Sequence, residues 1–87
     1  MVKIQRFSSQ GVVFQLSGRI ELEDAAELQR LVGLEASGQT ITLDLRDITL
    51  VDRDALKLLV RFEAEGIKLE NWPAYIREWI DIEKHQT

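Results

Sequence analysis

Three stretches of this chain alternate between apolar and polar residues, and each is apolar on one parity only. In residues 12–17, Val12, Phe14 and Leu16 share a face, and Gln15 and Ser17 lie opposite, with Val13 the exception. In residues 40–45, Ile41, Leu43 and Leu45 oppose Thr42 and Asp44. In residues 67–71, Ile67 and Leu69 oppose Lys68 and Glu70. Side chains of a strand point to its two faces in turn, so this pattern demands a sheet with one covered face and one wet face. A parallel sheet covered on both faces would be apolar on both parities.

The segments between these strands carry the period of a helix. Ala25, Leu28, Leu31 and Val32 line one side of a helix over 23–32, with Gly33 near its end. Ala55, Leu56, Leu59, Phe62 and in part Leu58 give a broad apolar face over 54–65, stopped by Gly66. Pro73 suits the first turn of a last helix, on which Trp72, Tyr75, Ile76, Trp79 and Ile80 share a face that reads as core. Residues 2–7 add a β-branched run before Ser8-Ser9-Gln10-Gly11, so the first two strands form a hairpin.

The element order is β-β-α-β-α-β-α. Strands separated by helices pair in parallel through right-handed crossovers. The expectation is an α/β fold: a four-stranded, mostly parallel sheet with an antiparallel edge hairpin, its helices mainly on one face. A sequential strand order produces that one-sided arrangement. The 87 residues are expected to form one domain, 1–87.

Composition removes several function classes. Cys is absent, which excludes thiolate metal sites and Cys nucleophiles, and the single His85 leaves little room for metal or triad chemistry. No metal site, cofactor or catalytic residue is assigned. Paired carboxylates Asp52/Asp54 and Asp44/Asp47 lack a nucleophile, base and orienting group around them. The opening MVKIQRF has no apolar signal-peptide core, and the longest apolar run, 56–62, is broken by Lys57 and Arg61. The reading is a soluble cytoplasmic chain. Its net charge of −4 argues against nucleic acid as a partner.

The acidity is expected at one end of the sheet. In parallel α/β sheets, sites gather beyond the carboxyl ends of the strands. Those segments read as loops over 18–24 and 46–54. They hold Arg19, Arg46 and Arg53 against Glu21, Glu23, Asp24, Asp47, Asp52 and Asp54. With Asp44 added, the local net charge equals the −4 of the whole chain. Helix capping accounts for Glu23, Asp24, Asp52 and Asp54 taken singly. The cluster as a whole suits a protein partner with a basic patch.

These residues resemble a known family. Val13-Phe14-Gln15-Leu16-Ser17-Gly18-Arg19-Ile20-Glu21, then Ile41-Thr42-Leu43-Asp44-Leu45-Arg46-Asp47-Ile48, then Val51-Asp52-Arg53-Asp54-Ala55-Leu56-Lys57-Leu58-Leu59, closing on Glu65-Gly66-Ile67-Lys68-Leu69, are similar to the STAS domain. That domain is the fold of bacterial anti-sigma-factor antagonists, and occurs also in sulfate transporters and a lipid-transport subunit. The antagonists carry Asp-Ser-Ser/Thr-Gly-Leu at the start of the second helix. Phosphorylation of the first hydroxyl, by a partner that is both kinase and anti-sigma factor, releases that partner. Here Asp52 and Leu56 match the motif, Arg53 stands at the acceptor position, and Asp54 and Ala55 replace the second hydroxyl and the Gly.

The resemblance implies a non-catalytic regulatory module that binds a protein, with a kinase-like anti-sigma factor as the partner it suggests. A cation at the acceptor position implies that the phosphorylation switch is lost. The residues expected to bind are Arg19, Glu21, Asp52, Arg53, Asp54 and Leu56. The alternative is a small anionic ligand, a nucleotide or lipid, held by Arg19, Arg46 and Arg53 beside two helix starts. The first strand's free edge and the wet sheet face leave room for a dimer.

Overall fold

The structure, a computed structural model, describes residues 2–8, 10–35 and 38–86. Strands β1 (Val2–Ser8) and β2 (Val12–Ile20) form the expected antiparallel hairpin, with Ser9 of its turn outside the described residues. Helix α1 (Leu22–Gly33) leads to β3 (Ile41–Val51), then α2 (Arg53–Ala64), β4 (Lys68–Glu70) and α3 (Ala74–Gln86). The sheet order is β1-β2-β3-β4, and β2, β3 and β4 run parallel. Both crossovers therefore step the same way, and the right-handed rule sends their helices to one face. Helix α2 lies between the other two, packed against α1 on one side and α3 on the other.

The expected parities hold in the first halves of the strands. Val12, Phe14 and Leu16 of β2 and Leu43 and Leu45 of β3 are buried beneath the helices. The ladder pairs Lys3 with Ser17, Gln5 with Gln15, Gln15 with Asp44 and Asp44 with Glu70, a polar row across the opposite face. The helices contribute Ala25 and Leu28 from α1, Ala55, Leu56, Leu58, Leu59 and Phe62 from α2, and Ile76 and Ile80 from α3.

The second half of β3 corrects the sequence reading. Residues 46–54 were expected to be a loop, yet the strand continues to Val51, and β2 likewise continues to Ile20 through the expected loop 18–24. The register slips twice. Gln15 and Ser17 face Asp44 and Asp47, and Gly18 and Arg19 face Ile48 and Leu50, so β3 carries an extra residue at each step. A bulge places two residues opposite one and resets which residue faces inward. Leu45, Ile48 and Val51 are all buried at a spacing of three, which a search for period two does not find. Gly18, at φ 92, sits at the second slip in a conformation other residues resist.

The end of α2 is set by local chemistry. The Ile67 N–H donates to the Phe62 carbonyl at 3.0 Å, and the Gly66 N–H to the Glu63 carbonyl at 3.1 Å. This is the paired closure of a Schellman motif, and Gly66 at φ 94 takes its left-handed position. The chain turns at once into Ile67 and β4. The free side of β1 is tied to the end of α1 by Arg6, whose guanidinium donates twice to Glu35 at 2.9 and 3.0 Å. That pair holds the Glu35 carboxyl below the usual range, through hydrogen bonding and the neighbouring positive charge.

Helix α3 corrects a second expectation. Ile76 and Ile80 are fully buried and Trp72 and Tyr75 are partly covered, but Trp79 is 41% exposed. Its ring meets Tyr75 edge-on, with centroids 5.7 Å apart. The inner face of α3 runs through 76, 80 and 83, so Trp79 falls on its flank. We expect Ile80→Ala to cost about 2–5 kcal/mol, the range for emptying a core aliphatic site. Trp79→Ala should cost about 1 kcal/mol, chiefly the aromatic pair. Urea denaturation of the two variants checks the order.

Candidate functional site

The parallel pair β2/β3 ends with Ile20 beside Val51. The Asp52 N–H donates to the Ile20 carbonyl at 3.0 Å, extending the ladder by one bond before the chain turns into α2. Glu21 precedes α1 and Asp52 precedes α2, so the two helix starts stand side by side above the strand ends. This common end brings Arg19, Glu21, Asp52, Arg53, Asp54 and Leu56 into one region, the set expected from sequence.

Within that set the fold uses some side chains and leaves others free. Asp52 is the N-cap of α2, and its Oδ1 accepts from the Ala55 N–H at 2.9 Å. Asp24 plays the reciprocal part on α1, accepting from the Glu21 N–H at 3.0 Å. Leu56 points into the core and is buried. Arg19 is exposed and lies 3.7 Å from a Glu21 carboxylate oxygen. Arg53 and Asp54, in the first turn of α2, are exposed, and no hydrogen bond or ion pair joins either side chain to another described residue.

The acidic end is smaller than expected. Because β3 continues past Leu45, Asp44 and Asp47 do not belong to the rim. Asp44 accepts from the Arg46 N–H at 3.1 Å and from the Asn71 side chain at 3.2 Å. Asp47 lines a shallow depression with Lys3, Gln5, Gln15 and Ser17 on the polar sheet face. The rim proper keeps Glu21, Glu23, Asp24, Asp52 and Asp54 with Arg19 and Arg53.

The structure adds residues the sequence reading did not place here. A groove of about 310 Å³ opens between the start of α2 and α3, lined by Arg53, Leu56, Trp79, Ile82 and Glu83. Trp79 and Ile82 are largely exposed along it. Leu50, beside Arg19 in the ladder, is a further exposed aliphatic at the strand ends. The signal for the groove lay in α3: the inward stripe Ile76–Ile80 continues to an acid, Glu83, at the next core position. Among the described residues no cluster of His, Asp and Glu is arranged to hold a metal, and no helix is long and apolar enough to cross a membrane.

No family profile matches the sequence, and no curated protein matches it at significance. Among solved structures, it is similar to an uncharacterized protein of the DUF3478 family with a SpoIIAA-like fold, from Shewanella loihica PV-4. The TM-score is 0.53 at 15% identity, over 74% of this chain and 57% of that protein. This chain thus spans little more than half the length of its structural neighbour. The SpoIIAA-like fold is that of STAS domains and anti-sigma antagonists, so the resemblance read from the sequence holds for the fold.

The capping geometry gives a direct test of which acids serve the fold. Asp52→Ala removes the cap of α2 and should cost about 1 kcal/mol. Asp54→Ala removes an exposed carboxylate that helps α2 only through the helix dipole and should cost less, about 0.3–0.5 kcal/mol. Thermal melts of both variants, followed by circular dichroism, check the contrast.

Proposed function

We propose that this chain is a non-catalytic, STAS-like regulatory module, a single domain that binds a protein through the paired helix starts of α1 and α2. The observation that carries this reading is the division of labour in the first turn of α2. Asp52 and Leu56 serve the fold, while Arg53 and Asp54 project into solvent with no partner among the described residues. A free cation and a free anion side by side on a capped, rigid helix start suit recognition of a complementary charge pair. Arg19 and Glu21 from the neighbouring start complete the contact surface, with Asp52 and Leu56 holding it in place. The partner this fold suggests is a kinase-like anti-sigma factor or a component of a related bacterial, cytoplasmic signalling complex.

An anionic small ligand is the weaker reading. Arg19 already lies beside Glu21, and Arg53 has Asp54 next to it in sequence and Glu83 in the same groove. These acids oppose a phosphate at the positions where it would have to sit.

The test is capture from a lysate of the source organism, with the parent chain and Arg53→Glu/Asp54→Arg as baits. Both substitutions fall on exposed residues, so the variant should fold. A protein held by the parent and lost by the charge-swapped bait is the expected result. A protein held equally by both overturns the assignment of these two residues. The acceptor position is Arg53, so binding should also be indifferent to phosphorylation at this turn. Thr49 is the only hydroxyl residue within 46–54. After incubation of the captured complex with ATP, mass spectrometry should find no phosphate on that stretch.

A further inference from the structure

Glu83 occupies a core position on α3, yet no ion pair with a described residue engages it. Only 7% of the residue is exposed, and no hydrogen bond or ion pair joins its carboxylate to another described residue. Covering a carboxylate without a partner is unfavourable, and ion pairing is the usual remedy. Among the described residues no deeply buried side-chain oxygen lacks a partner, so the Glu83 oxygens reach the solvent of the groove they line. The stem is buried and the charged end faces the groove.

The surroundings of that charge define what it would accept. Trp79 and Ile82, 41% and 50% exposed, give the groove an apolar wall, with Leu56 at its base. Ile82 also borders a second groove of about 350 Å³ with Glu78, Asp81 and His85, so the two flank this side chain and form one trough when a ligand covers it. Along this trough stand the acids Glu78, Asp81 and Glu83, against Arg53 at one end and His85 at the other. An apolar strip edged by carboxylates is complementary to a segment with an apolar stripe and basic flanks.

We propose that this trough is the docking groove for a basic amphipathic helix of the protein partner. Its aliphatic residues lie on Leu56, Trp79 and Ile82, and one lysine or arginine pairs with Glu83. This rests on the protein-binding reading above and extends that surface from the start of α2 onto α3. Arg53 then sits where the groove meets the rim and faces an acid of the same partner.

The probe is a fluorescein-labelled lysine–leucine peptide patterned as an amphipathic helix. Its controls are a scrambled peptide of the same composition and a glutamate–leucine peptide of the same pattern. Anisotropy should show the patterned basic peptide bound by the parent, with both controls at least about tenfold weaker. Ile82→Ser and Glu83→Gln should each weaken it by about tenfold or more. In amide and indole NMR spectra the peptide should shift the Trp79 indole N–H and leave Trp72 in place. Glu83→Gln should melt at or above the parent temperature, because it removes an unpaired charge. Stability held while binding falls is a pairing that a purely structural role for Glu83 does not produce.

Equal binding of the scrambled peptide, unchanged affinity in the two variants, or no binding at all would overturn the groove. So would a concentration-dependent dimer abolished by Ile82→Ser, which would make a second copy the occupant. The two readings separate in the capture experiment. A partner lost with the Arg53/Asp54 swap but retained by both groove variants leaves the helix-start surface standing and removes the α3 groove.

Discussion

The parallel ladder between β2 and β3 is the constraint on which the rest of the structure depends. It is the longest pairing among the parallel strands, and it ends with Ile20 against Val51 and one further bond from the Asp52 N–H. That last bond fixes where α2 begins relative to α1. Two helix starts then share one end of the sheet, and any charged residue within them becomes part of one surface. The bulges in β3 serve the same end. Without them the period of two that buries Leu43 and Leu45 would turn Ile48 to the wet face. With them, Leu45, Ile48 and Val51 all reach the core and carry the strand to its meeting with Ile20.

The sequence reading recovered what local periodicity determines. The one-sided alternation of β2, β3 and β4 made a one-sided sheet necessary, and the helical spacings placed all three helices. The reading failed where periodicity is broken on purpose. Strand β3 was cut at Leu45 because Arg46 and Asp47 are consecutive polar residues, and a bulge looks like a strand end when read by parity alone. That error inflated the acidic rim by counting Asp44 and Asp47 in it. Trp79 was placed in the core because an aromatic at helical spacing fits either the inner face of α3 or its flank. Only the packing of α3 against α2 separates those positions.

Within the candidate site, residue type told less than use. Five of the expected residues carry charge on or beside the two helix starts, yet Asp52 is a cap and Glu21 is engaged with Arg19. The free pair Arg53 and Asp54 became distinguishable only once the partners of their neighbours were known. Glu83 shows the same limit from the other side. An acid at the end of an apolar stripe reads as helix surface, and its burial is visible only when α3 is seated.

Arg53 stands in the first turn of α2, where a helix least tolerates a cation. The first turn of a helix carries the positive end of its dipole, so a cation there is disfavoured by about 0.3–1 kcal/mol and an anion favoured by a similar amount. Arg53 therefore works against α2, and Asp54 works with it. Packing gives Arg53 no compensation, since it is exposed and no described residue pairs with it. A side chain that costs the helix something and returns nothing to the fold supports the protein-binding reading proposed above. With Arg53 and Asp54 adjacent, the first turn carries no net charge and has no hydroxyl through which to acquire one.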